Sequence, residues 1–183
     1  MTEHVDAYLW DRRHRLLYEI NLSTLYHRKR ERWFDAWDRL GKAIALIAGT
    51  AAFSRAIGES WVTTVVAALV AITSSLSLVF AFSEKARRHA EFARSFCEIG
   101  AELAKKGERD FEEEDLSECD AKIQSLEAQE PASLGALVRL CQNEIAIAQG
   151  HPQRVTPIGF FQRFFAHVWD FKSPARPFAS PAS

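Results

Sequence analysis

Trp61 to Phe82 reads WVTTVVAALVAITSSLSLVFAF, 22 residues without a charge, and polar residues return on both sides at Gly58-Glu59-Ser60 and Ser83-Glu84-Lys85. At about 1.5 Å per residue this run predicts a helix of roughly 33 Å, long enough to cross the hydrocarbon core of a bilayer. A weaker charge-free stretch, Ala43 to Ser54, precedes it between Lys42 and Arg55. Its core is short of the about 20 residues that a span needs. Lys42 and Arg55 can run their stems along the helix and hold their charges in the headgroups, which stretches the span toward Gly41 to Ile57. Gly58-Glu59-Ser60 then becomes the tight outer turn of a transmembrane hairpin, with Arg55 and Glu59 as its charges. The plainer alternative is one spanning helix preceded by a buried or interfacial one.

The flanking sequence has helical periodicity. Residues 5–40 contain no Pro or Gly, and Leu9, Leu16, Ile20, Leu25, Trp33, Trp37 and Leu40 recur at helical spacing. The pattern predicts a helix that runs directly into the first span, with a break near Asn21 to Thr24 as the alternative. Beyond the second span, Ala86, Ala90, Ala93, Phe96, Gly100 and Leu103 form an apolar stripe with charges opposite it. No breaker is evident before Lys105-Lys106-Gly107, so this helix is read as the uninterrupted continuation of the second span.

The remainder predicts shorter helices. Glu108 to Glu114 reads as an acidic linker. Leu116 to Gln129 follows as a helix with Ile123 and Leu126 inward. Pro131 opens another, about Ala132 to Gln149, with Leu134, Leu137, Val138, Cys141, Ile145 and Ala148 on one side and Gly150 as its stop. Thr156-Pro157 reads as an N-cap and first-position proline for an aromatic helix, Ile158 to Phe171. That helix is expected to pack on the cytoplasmic arms or lie on the inner leaflet. No strand pattern is present. The fold expected is all-α: an N-terminal cytoplasmic helix (1–40), a hairpin (41–82), a cytoplasmic continuation (83–107), an acidic linker with C-terminal helices (108–172) and a disordered Pro/Ser/Ala tail (173–183).

Charge sets the topology. The net charge is −1, yet Arg28, Lys29, Arg30, Arg32, Arg39 and Lys42 precede the first span, and Lys85, Arg87, Arg88 and Arg94 follow the second. By the positive-inside rule both termini face the cytoplasm, which requires an even number of spans. Trp33 and Trp37 fall at inner headgroup depth and Trp61 at the outer interface, where tryptophan concentrates. Glu108 to Glu130 holds ten acidic residues against Arg109 and Lys122, so it is expected to hang away from the anionic leaflet. The opening, MTEHVDAYLWDRRHRLL, lacks the apolar run of a cleavable signal.

Candidate chemistry is sparse. Thr63, Ala67, Ala71, Ser74 and Ser77 form a small, partly hydroxylated stripe on the second span, opposite Val65, Leu69, Ile72, Leu76 and Val79. Such a stripe suits close packing against the other helix of the hairpin, or a narrow pore shared by several copies, since one hairpin cannot enclose a channel. Cys97, Cys119 and Cys141 read as free thiols with structural roles. The histidines make no HExxH motif or close pair in sequence, so no metal site is expected. No phosphate-binding loop, dinucleotide fingerprint or nucleophile elbow is present, and neither span carries an acid for proton transfer. The chain is therefore not expected to be an enzyme, to hold a cofactor or to bind nucleic acid.

The long helix LLYEINLSTLYHRKRERWFDAWDRLGKAIALIAG, the very short outer turn and the continuing helix EKARRHAEFARSFCEIGAELAK resemble the SMODS- and SLOG-associating two-transmembrane effectors, the SLATT family. The likeness covers about residues 10–107. It implies a bacterial defence effector of the inner membrane that oligomerises, and that forms pores or depolarises the cell when a cytoplasmic partner makes or senses a nucleotide messenger. The family has no catalytic residues to transfer. A reading of a different class is a non-conducting membrane scaffold that recruits a soluble partner through its cytoplasmic helices.

Overall fold

A computed structural model describes residues 2–54, 61–107 and 110–170. Among them the chain is all-α, with no strand. Its helices are α1 (Thr2–Ser54), α2 (Trp61–Phe80), α3 (Phe82–Lys105), α4 (Glu113–Glu127), α5 (Gly135–Ala148) and the single-turn α6 (Phe160–Phe164), with a short 3-10 turn at Pro152–Arg154.

α1 runs 53 residues without interruption, through Asn21 to Thr24 as well. It contains no proline, and carboxylates three or four residues from a cation tie successive turns together: Asp11 with Arg15, Arg28 with Glu31, Asp35 with Arg39 and Asp38 with Lys42. Such pairs each contribute only about 0.2–0.5 kcal/mol, so packing has to supply the rest.

The chain divides into two compact units, Met1–Tyr26 with Ala93–Ser183, and His27–Phe92; α1 and α3 each contribute to both. In the first unit, Leu16 and Ile20 of α1 meet Phe96, Ile99 and Leu103 of α3 and Leu116, Cys119 and Ile123 of α4. Each set recurs every three or four residues, so each helix presents one stripe. Full burial of a side chain of this size stabilises by about 1.5–3 kcal/mol. Gly100 permits the close approach of α1 and α3, because a Cβ there would lie 3.1 Å from Ile20 Cγ2. A second cluster joins Tyr26 to Ala136, Leu137, Cys141 and Ala166, and the Leu134 backbone N–H donates to Tyr26 Oη.

The helix ends follow backbone chemistry. α3 stops where Gly107 takes φ +75°, and Gly150 takes φ +76° after α5. At the start of α4 the Glu112 N–H donates to the Asp115 side chain at 3.0 Å. That bond, then the Lys106 ammonium 2.9 Å from Asp115, holds the Asp115 carboxyl below its ordinary value.

Three expectations differ from the structure. The second span does not pass unbroken into the arm: α2 ends at Phe80, Ala81 adopts φ +46°, and α3 begins at Phe82. Alanine carries no sequence signal for a left-handed turn, which for an L-residue costs about 1–2 kcal/mol. α5 starts at Gly135, three residues after the expected Ala132, because residues 131–134 do not continue the helix. The aromatic helix is one turn capped at Gly159, not a helix from Ile158 to Phe171. Thr156 does not cap it. Its N–H and C=O are both taken by the Asn143 side chain, each at 2.8 Å, which fixes the segment against α5.

Among the described residues, no helix is long and apolar enough to cross a membrane. α2 is the charge-free helix, 20 residues long, and five of its side chains (positions 62, 63, 66, 77 and 78) lie outside the description.

Candidate functional site

The Ala81 turn builds the most distinctive site in the chain. In a regular helix, residues two apart point to nearly opposite sides. The left-handed residue brings Phe80 and Phe82 to the same side, with ring centroids 5.5 Å apart and planes 15° from parallel. Phe82 then reaches α1, where it stacks on Trp37 at 6.4 Å and lies 6.4 Å from Phe34. Trp33 meets both Phe34, at 5.0 Å, and Trp37, at 6.0 Å, edge to face. Trp37 and Phe80 stay exposed, whereas Phe34 is buried.

A ladder of rings continues from Phe34 along the antiparallel α1 and α3. His89 stacks on Phe34 at 5.6 Å, and the His89 Nδ1 lies 2.8 Å from the His27 Nδ1. His27 in turn stacks on Phe92 at 5.0 Å. The rungs alternate between helices: Phe82, Phe34, His89, His27, Phe92. On α1 the two members are seven residues apart, and so are Phe82 and His89 on α3, so each pair occupies one stripe of its helix. Both histidines are buried.

Cations line the ladder. The Arg30 guanidinium lies 4.4 Å from the Phe34 ring centre and 5.6 Å from that of Trp33. Lys85 Nζ lies 5.9 Å from the ring centres of both Phe34 and Phe80. Arg88 covers Phe92 at 5.8 Å. Burial, then His27, Arg30 and Arg88, push the His89 imidazole down from 6.5 to about 3. His89 is therefore neutral at ordinary pH. An N···N separation of 2.8 Å is that of a hydrogen bond, in which one Nδ1–H donates and the other Nδ1 accepts. Two imidazoles beside arginines suit that proton better than a metal. Among the described residues no group of three or more His, Cys, Asp and Glu forms a metal-binding cluster.

This pair is the feature the periodicity of the chain did not reveal. The signal that could have found it is the matched seven-residue spacing of an aromatic and a histidine on each arm, His27 with Phe34 and Phe82 with His89.

The expected site residues distribute unevenly. Trp33 and Trp37 come together, and Trp61 is exposed at the start of α2. Ala67, Ala71 and Ser74 are exposed, and so are Val65, Leu69, Ile72, Leu76 and Val79 on the other side of α2. Thr63 and Ser77 have side chains outside the described set, and Arg55 and Glu59 lie outside the described residues altogether. Cys97 is exposed while Cys119 and Cys141 are buried, and burial raises the Cys119 thiol to about 11.

In the first unit an open groove of about 330 Å³ between α3 and α4 is lined by Glu102, Lys105, Lys106, Asp115, Glu118 and Lys122. Lys122 pairs with Glu102 and Glu118, and Lys106 with Asp115, so these opposed charges satisfy one another. After α5, Phe160, Phe161, Val168 and Trp169 are each more than half exposed, which departs from packing on the arms, the first of the two expectations for this segment; Ala166 is buried. No protein-family model, no curated protein and no solved structure matches the chain.

Proposed function

We propose that the chain is a two-span membrane protein with both ends in the cytoplasm, acting as an oligomeric effector that depolarises the bacterial inner membrane. What supports this reading is the sequence of α2, 20 residues without a charge, together with the exposure of Ala67, Ala71 and Ser74 from its small stripe and of Val65, Leu69, Ile72 and Leu76 from its bulky one. An all-round apolar helix needs lipid or other copies of itself to cover it. Bulky Val65, Leu69, Ile72 and Leu76 suit lipid, and the stripe of Thr63, Ala67, Ala71, Ser74 and Ser77 suits close helix contact between copies. The aromatic and cationic collar at Phe80–Lys85 supports a membrane boundary there. In this reading α1 and α3 are the arms through which a cytoplasmic signal alters the packing of the hairpins, and the resemblance to the SLATT effectors suggests a nucleotide-signalled partner. The role is not enzymatic.

The test is expression in bacteria carrying a potential-sensitive dye. Induction of the wild-type chain is expected to dissipate the membrane potential. Replacing both Ser74 and Ser77 by leucine fills the stripe and should abolish that effect while leaving membrane recovery unchanged. Unchanged depolarisation by this variant removes the stripe as the lining.

The exposed Phe160, Phe161, Val168 and Trp169 favour a second reading, a non-conducting scaffold that captures a soluble partner on this apolar patch. It predicts no ion flux in liposomes and loss of partner capture when Phe161 and Trp169 are replaced by serine.

A further inference from the structure

We propose that the segment folded back along α5, residues 151–170, is a docking surface for an anionic lipid bilayer, with Phe161, Val168 and Trp169 entering the headgroup layer and Arg154 and Arg163 meeting lipid phosphates. The contact does not require α2 to cross the bilayer. The segment is fixed to its own unit at three points. Asn143 takes both the N–H and the C=O of Thr156 at 2.8 Å. Ala166 is fully buried among Tyr26, Ala136, Leu137 and Cys141. The Asp170 carboxylate accepts the Gly135 N–H at 3.3 Å. With the backbone held in this way, the large apolar side chains are displayed outward: Phe161 is 73 %, Val168 61 % and Trp169 66 % exposed. They are also gathered. The Phe165 N–H donates to the Phe161 C=O at 3.0 Å, and the Trp169 N–H to the Phe165 C=O at 2.9 Å. Bonds of that span place Phe161, Phe165 and Trp169 on one face, a turn apart.

Ring type and charge select a lipid surface. Phe and Trp rings with cations among them suit the boundary between headgroups and acyl chains. Arg154 and Arg163 are exposed in the same segment. Its one acid, Asp170, is engaged at the start of α5. The wider sequence follows the same sign: residues 131–183 carry five lysines and arginines against two aspartates and glutamates, whereas residues 108–130 carry two against ten. An anionic leaflet attracts the first stretch and repels the second. Arg154 and Arg163 are nine residues apart. A leaflet offers a phosphate wherever each one falls, while a protein partner would need a carboxylate matched to each.

The experiment places photoreactive p-benzoylphenylalanine at position 161 of the full chain, reconstituted with vesicles of phosphatidylglycerol and phosphatidylcholine. Adducts are identified by mass spectrometry. Lipid adducts are expected from position 161 and not from the same probe at Glu114, an exposed position on α4. Arg163→Gln should lower the lipid-adduct yield roughly fivefold, the worth of about one cation at an anionic surface, and Arg163→Lys should keep it. Vesicles of phosphatidylcholine alone should also lower the yield. Equal yields at positions 161 and 114, or in the two vesicle compositions, overturn the proposal. Recovery of the chain with the vesicles after alkaline carbonate extraction then still leaves the spanning reading of α2 in place. Lipid adducts from a chain that carbonate releases support the contact and remove the span. In living bacteria, an adduct of position 161 with a soluble protein in place of lipid overturns the proposal in favour of the scaffold reading. Failure of the chain to associate with vesicles of either composition overturns the docking surface and the span together.

Discussion

His27 and His89 illustrate how much one contact can depend on protonation. Each is buried, and each is stacked on a phenylalanine of the opposite helix. His89 titrates near 3 in the folded chain and near 6.5 when unfolded. Its depressed value means that the unfolded chain takes up the proton first. The native state therefore keeps its full stability above about pH 6.5 and loses it as pH falls toward 3, by up to about 1.4 kcal/mol per pH unit. Chemical unfolding in detergent between pH 7 and pH 4 should show this decline. The double replacement His27→Phe with His89→Phe should flatten it, because both partners leave together. His89→Phe alone leaves the His27 Nδ1 facing an apolar ring and should cost about 1–3 kcal/mol at pH 7. A pH profile that is unchanged in the double variant removes the pair as the source.

Ala81 makes the opposite case, in which the chain accepts local strain. Its φ of +46° is unfavourable for any residue with a Cβ, and it persists because Phe80 and Phe82 are held in a shared stack. Ala81→Gly removes the strain at some cost in unfolded-chain entropy, for a net gain of about 0.5–1 kcal/mol. Ala81→Val should destabilise by more than that gain, since a β-branched side chain tolerates the left-handed region least. Paired thermal unfolding curves decide the sign for both.

At the scale of elements, the packing of α1 on α3 is set by one glycine as much as by the large residues. Gly100 faces Ile20, which is 3 % exposed and locked in the core with Phe96, Ile99 and Leu116. Ile20 has no room to withdraw. Gly100→Val therefore overpacks the contact and should cost about 1–3 kcal/mol despite its better helix propensity, read as a lower unfolding midpoint in denaturant. Elements of this kind were legible from the order of residues. The proline-free run up to Gly41 predicted the continuous α1, and Gly107 and Gly150 marked stops because only a residue without Cβ takes a positive φ cheaply. Ile123, Leu137, Cys141 and Ile145 were inward by periodicity and are buried. What was not legible depends on partners distant in sequence. The α2–α3 break falls at an alanine, whose local preference is helical, and is held by Trp37 and Phe34 of α1, 45 and 48 residues before Phe82. The aromatic segment after Thr156 was misread for a related reason. Asn143 engages the Thr156 carbonyl, the group that would accept the first intrahelical bond of a helix starting there.

For the whole molecule, the thiols offer a native report on which side of a membrane the arms lie. Cys97 is the exposed cysteine, on α3, while Cys119 and Cys141 are buried in the two core clusters of the first unit. A reagent that attacks thiolate therefore selects Cys97 by access, and the raised Cys119 value lowers its reactivity further. If both chain ends are cytoplasmic, a membrane-impermeant maleimide added to intact cells with permeabilised outer membranes should leave Cys97 unmodified. The same reagent added to inverted inner-membrane vesicles should attach one label per chain, and Cys97→Ser should remove that label. The charge pattern gives the reason: ten basic residues flank the charge-free stretches in sequence and resist transfer across a membrane, and four of them lie on α3, the helix that carries Cys97. Labelling from outside intact cells would reverse the orientation. Full labelling in a vesicle-free soluble fraction would deny the membrane altogether, and the exposed faces of α2 would then have to be covered by another protein chain.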